Sequence, residues 1–279
     1  MAVHLNVEDV VPEAVAPGVQ RRVLLHPRTV PGIRFELGCL ALDPGTTMPV
    51  SVGAADLEWL QVLSGSLVLD GSGQAQVLSD AHVVFLPPGF DGSIRAEAGA
   101  SILWARVPDA AGLDPAFTSR PPGFRIVNWK DEPLLESQHD ARKRIYLATP
   151  ALFGTEAIKG EMILYPPGTE APKHYHLGAA HFMYFLEGGG MAFAGDRALK
   201  VRAGDVVYYD DQEVHSLRSG DTSGMTFAEF FVPAGARTVW VHPEKACTWL
   251  PTGKNIQGGK PAREIRAHSF ARVETTTDV

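Results

Sequence analysis

Four of the ten histidines fall close together, at His174, His176, His181 and His215. Neutral imidazole is a strong ligand for Fe, Zn, Ni or Cu, whereas Mg and Ca prefer oxygen donors. His174 and His176 stand two apart in a stretch that reads as a β-strand, so both rings leave the same face. His181 follows the small-residue turn Leu177-Gly178-Ala179-Ala180, and His215 follows the turn Asp210 to Glu213. Strands laid side by side would converge these rings on one divalent cation. With His181 off the ion, a three-histidine face leaves positions open for a substrate; with all four bound, a closed shell fits sensing or structural metal. His4, His26, His82, His139, His242 and His268 are isolated, and each reads as a surface or hydrogen-bonded residue.

The elements that must position this group read as short strands. Phe182-Met183-Tyr184-Phe185-Leu186 and Val206-Val207-Tyr208-Tyr209 are aromatic or branched runs bounded by Gly, Asp or Pro. Alternation after His181 sends Met183 and Phe185 to one side, as candidates for an apolar pocket wall, and Tyr184 to the other. Tyr208 or Tyr209 also reaches the cavity in this reading, and which of the two remains open. Lys173 and Glu187 read as solvated, as does the basic group Arg142-Lys143-Arg144. Asp131 to Arg144 could hold a turn or two of helix.

These strands recur. At an offset of 123, Ala41-Leu42-Asp43-Pro44-Gly45 lies over Leu164-Tyr165-Pro166-Pro167-Gly168, Pro49 over Pro172, Leu63 over Leu186 and Gly65 over Gly188. Turn residues match turns and apolar residues match apolar ones, as in a duplicated unit. The same offset sets Ser51, Gly53 and Gly92 against His174, His176 and His215, and Glu58 against His181. One carboxylate without imidazoles does not hold a transition metal, so the first copy is expected to be metal-free. The expected organisation is a first barrel over residues 1–110, a connection over 111–145, a metal-bearing barrel over 146–250, and a partly disordered extension over 251–279.

Composition agrees with an all-β chain. The 279 residues are 45% hydrophobic and carry 28 Gly and 21 Pro, the balance that many short strands joined by turns produce. A net charge of −7 with scattered basic residues gives no footprint for nucleic acid or anionic membrane. No window approaches a membrane span, and acidic residues in the first eighteen do not suit a secretory leader, so a cytoplasmic location is the default. Cys39 and Cys247 show no CxxC spacing, which makes a disulfide framework improbable.

Gly168-x5-His174-x-His176-x4-His181-x6-Gly188 resembles the first motif of the cupin superfamily, and Gly204-x10-His215 resembles the second. The departures are His181, where the pattern has Glu, and Asp210 and Gln212, where it has Pro and Gly. The resemblance covers both repeats and implies a bicupin: two tandem double-stranded β-helix (jelly-roll) barrels, with His174, His176 and His215 as ligands and His181 in the position of the fourth. The histidine-rich pattern is similar to dioxygenases that cleave β-diketones or hydroxy-ketones, and to metal-binding sensor domains of anti-sigma factors. It implies an Fe(II) oxidoreductase, with Zn, Ni, Mn or Cu as alternatives, acting on a small enolisable or hydroxy-ketone-type substrate. The other readings are a non-redox metal-dependent hydrolase, lyase or isomerase, and a non-catalytic metal-binding cupin. A homodimer through barrel faces is the assembly the resemblance suggests.

Overall fold

In the computed structural model, residues 1–71, 73–266 and 268 are described, and strands dominate them. The end of the expected extension, residues 269–279, lies outside the described residues. No helix among the described residues is long and apolar enough to cross a membrane. The chain divides into two units, one of residues 7–128 and 153–157, the other of residues 1–6, 129–152 and 158 onward.

The first unit is a jelly roll of a seven-stranded and a four-stranded antiparallel sheet. In the larger sheet Leu57–Gly65 lies between His82–Leu86 and Ala100–Val107. Alternate residues of these strands turn inward, so Leu60, Val62, Val84, Leu86 and Ile102 meet Val50, Leu69 and Ile94 of the smaller sheet in one aliphatic core. The segment after Pro108 stays with this unit. Its Phe117 and Asp114 are buried, and Arg125–Asn128 adds a strand against His82–Leu86.

The second unit is a twelve-stranded sheet folded on itself. Its long strand Ala180–Ala194 spans both faces, pairing with Asp205–Tyr209 and Met225–Val232 at one end and with Arg197–Arg202 and His215–Ser219 at the other. Gly188 bends it, with φ of 69°, where a Cβ would strike the Gly224 carbonyl; Gly65, its repeat partner, has φ of 77° and the same constraint at Gly99. The first strand of the chain, Val3–Asn6, belongs here, in register with Asp205–Tyr209. Asp131 to Arg144 is not helical: Leu135–Ser137 is a strand, and Lys143 opens another, because cross-strand pairing and burial of Leu135 and Ile145 outweigh the local helical pattern. Neither cysteine forms a disulfide.

Candidate metal centre

His174 and His176 lie on the strand His174–Leu177, whose neighbours are His215–Ser219 and Arg237–Trp240. His174 pairs directly with His215 across the ladder. The His174 and His215 rings are 4.3 Å apart, and the His176 ring lies 5.1 Å from the first and 5.2 Å from the second. One nitrogen of each falls within 4.8 Å of the others, a grouping that can hold a cation.

Neighbouring groups settle which nitrogen is free. The His174 Nδ1–H donates to the Pro172 carbonyl at 2.8 Å and the His215 Nδ1–H to the Glu213 carbonyl at 2.8 Å. A carbonyl only accepts, so in each ring the lone pair is left on Nε2. His176 Nδ1 contacts the Thr238 hydroxyl at 3.2 Å. The Nε2 atoms of His176 and His215 are buried with no hydrogen-bond partner, an arrangement costly without a ligand. Burial, reinforced in His174 and His176 by neighbouring imidazoles, pushes their proton affinity well below the ordinary histidine value. Burial likewise lowers His215, to about 4. The rings are neutral at pH 7, as metal ligands must be. The donor set fits a transition-metal ion.

The turn before His215 locks the group. The Gln212 N–H donates to the His176 carbonyl at 2.8 Å, and the Gly178 N–H donates to Asp211 Oδ1 at 2.9 Å. Gln212, in the position of the motif glycine, has φ of 64°, so the left-handed backbone is kept although the residue is not.

His181 is fully buried between Phe231, with ring centres 5.0 Å apart, and Tyr209, at 5.2 Å. It forms a second potential ligand group with His176 and Glu229, and its Nε2 lies 3.5 Å from Glu229 Oε1. The structure thus brings all four histidines together but places His181 beside a carboxylate, outside the His174–His176–His215 grouping. Sequence reasoning missed Glu229. Its only signal was one acid in the otherwise apolar run Met225–Val232.

A cavity of about 450 Å³ opens beside the histidines. The strand Lys159–Tyr165 contributes Lys159, Glu161, Ile163 and Tyr165 to its wall, every second residue, and its partner strand contributes Phe227, Glu229 and Phe231. Met183 also lines it; Phe185 and Tyr209 pack in the apolar core instead, and Tyr208 is outside both groups. Arg142, just before the strand that Lys143 opens, and Arg144, on that strand, line the cavity too, so neither arginine belongs to a solvated face. Arg142 is buried and holds Asp140 with Nε at 2.9 Å and Nη2 at 2.8 Å. It also donates to the Tyr165 hydroxyl at 3.3 Å. Arg144 Nε lies 3.3 Å and Lys159 Nζ 3.8 Å from Glu161 Oε2. Glu161 and Glu229 are direct cross-strand partners, and burial together with that neighbouring carboxyl raises Glu229 well above the usual carboxylate range. His268, expected as a surface or hydrogen-bonded residue, is buried on the Tyr146 hydroxyl at 2.9 Å and lines the cavity.

Residues 161–242, which carry these histidines, match the family model described as Cupin domain. No curated protein sequence matches the chain. Among solved structures, an oxalate decarboxylase from Bacillus subtilis, described for its Mn(II) centres, superposes with a TM-score of 0.65 at 18% identity, over 85% of this chain and 79% of that one. A putative glyoxylate-induced protein from Pseudomonas aeruginosa superposes with a TM-score of 0.67 at 18% identity, over 82% of this chain and 88% of that one. The chain therefore carries a stretch matching the cupin domain over residues 161–242, and its fold is similar to those of both proteins.

Proposed function

We propose that the second barrel is a metal-dependent enzyme site for a small oxo- or hydroxy-carboxylate, and that its chemistry is non-redox, of the lyase or isomerase kind. The observation that carries this reading is the cavity wall. His174 and His176 share the wall with Arg142, Arg144 and Lys159, and the Nε2 atoms of His176 and His215 are without a partner, so an anion with two chelating oxygens is attracted at both ends. His174, His176 and His215 would hold the ion, which when bound supplies Lewis-acid polarisation of a substrate oxygen. The residues of the chain do the rest. Nδ1 contacts with Pro172, Glu213 and Thr238 orient the rings. The cations orient the carboxylate, and Phe227, Phe231 and Met183 shield the bound substrate from water. The Mn(II) centres of the Bacillus subtilis decarboxylase and the glyoxylate link of the Pseudomonas aeruginosa protein support this substrate class.

A specific observation favours a second reading. An all-imidazole face beside Ile163, Leu217, Met183 and Phe227 also suits an Fe(II) dioxygenase cleaving an enolisable diketone. One experiment separates the two. The protein is loaded with Mn(II) and given oxalate, glyoxylate and oxaloacetate without oxygen, then loaded with Fe(II) and given acetylacetone in air. Anaerobic carboxylate turnover is expected. Oxygen uptake with acetylacetone alone establishes the dioxygenase, and a protein that binds neither metal sinks both readings.

A further inference from the structure

We propose that Glu229 is the residue that moves protons in this cavity, taking one from the carbon beside the carbonyl of a bound oxo acid and returning it. The inference rests on the reading of the cavity as a metal-assisted oxo-carboxylate site, and adds to it a catalytic group that neither motif contains.

Three observations converge on this carboxyl. First is its place. Glu229 lies opposite Met183 in one ladder and Glu161 in the other, so it projects from the middle of the cavity wall, in the same strand face as Phe227 and Phe231. Second is its company. His181 Nε2 stands 3.5 Å from its Oε1, and neither ring nitrogen of His181 has a hydrogen-bond partner, so this carboxyl is within reach of an uncommitted imidazole, whose ring also lies 4.7 Å from those of His176 and His215. Arg144 and Lys159 sit on Glu161, its cross-strand partner. A buried imidazole beside two facing carboxyl groups is the kind of array through which a proton is stored and passed.

Third is the contrast with the other barrel. There the ladder sets Glu58 opposite Arg106 and Leu60 opposite Trp104; here it sets His181 opposite Phe231 and Met183 opposite Glu229. Glu229 therefore occupies the ladder position of Trp104. In the first barrel the carboxylate is pinned, receiving the Trp104 indole N–H at 3.0 Å and facing Arg106 at 3.7 Å. In the second, the carboxylate has moved one strand over and into the cavity wall.

The step balances without an oxidant or reductant. The C–H bond next to the carbonyl breaks, its electron pair forms the C=C bond, the carbonyl oxygen becomes an enolate oxygen, and the proton goes to Glu229 in its deprotonated, carboxylate form. Reversal restores the acid with whichever hydron Glu229 then carries.

The test uses the full-length protein loaded with Mn(II), pyruvate as probe and D2O as solvent, with deuterium in the pyruvate methyl group read by mass spectrometry. The parent is expected to exchange faster than a Mn(II)-matched buffer. Glu229→Gln, which is nearly isosteric, should slow exchange by about 100-fold or more while binding Mn(II) as the parent does in calorimetry. Should that variant fail to fold, Glu229→Asp serves, with a reduced rate at unchanged apparent pyruvate affinity. Parent-like exchange in either variant overturns the proposal. So does a loss of Mn(II) affinity on Glu229→Gln of about tenfold or more, which would make Glu229 a ligand. A parent that binds Mn(II) but exchanges no faster than buffer also overturns it and leaves the metal site standing, whereas a parent that binds no Mn(II) removes the reading beneath it.

Discussion

The two barrels of this chain are built from one repeated pattern and filled in opposite ways. In the first, Val50, Leu60, Val62, Leu86, Ile94 and Ile102 close over the interior, and the one acid at the motif position accepts the Trp104 indole N–H and faces Arg106. In the second, imidazoles, cations and the carboxyls of Glu161 and Glu229 stand around a cavity. A sheet scaffold tolerates either filling, because the turns that shape it, such as those at Gly65 and Gly188, are separate from the side chains that fill it. The first barrel is a packed support; the second bears the cost of buried polar groups, a cost that a bound ion relieves.

The comparison breaks most sharply if the histidines are exchanged between barrels. His215→Ala is expected to weaken Mn(II) or Zn(II) binding by roughly 100-fold or more in calorimetry, since it removes one of the three proposed ligands. The reverse change, Gly92→His, should build no site. A Cβ at position 92 would strike the Asp70 carbonyl and the Phe90 ring, so the expected result is a loss of about 1–3 kcal/mol in denaturant unfolding with metal content unchanged. A gain of metal by that variant would show that the first barrel is merely lacking ligands rather than closed to them.

Acid should then separate the barrels without mutation. His174, His176, His181 and His215 have folded-state proton affinities below the unfolded value, so the unfolded chain takes up more protons as pH falls. Stability of the metal-stripped second barrel is retained above about pH 6.5 and lost progressively towards pH 4, the value to which His215 is lowered. The first barrel, with an aliphatic core, should not share that dependence. Thermal melts from pH 7.5 to 4.5 test this, and a first-barrel transition that falls in parallel would refute it. The smallest effect sharpens the orientation argument. Thr238→Val removes the contact to His176 Nδ1 and should weaken metal binding about tenfold with the fold intact; unchanged affinity would show that the strand alone orients the ring.

The duplication and the three-histidine centre were legible because both rest on local spacing. A strand presents i and i+2 to the same side, and glycine at a positive-φ turn leaves a fixed mark in the sequence. Glu229, Arg142 and Arg144 were not legible, because what makes them part of the site is pairing across strands far apart in sequence. Lys159–Tyr165 illustrates the difficulty: its cavity-facing residues include Ile163 and Tyr165, its other face includes Met162 and Leu164, and neither alternation stands out. The wrong helix over Asp131 to Arg144 has the same origin, since its strands are held by partners elsewhere in the chain.

The strand Val3–Asn6 has a consequence for how the chain is made. Among the described residues it pairs with Asp205–Tyr209, which is synthesised some two hundred residues later. Throughout that interval its backbone hydrogen bonds must be satisfied by water, and its docking demands closure of a loop containing the whole first barrel. Completion of the second barrel is therefore a late event in biogenesis.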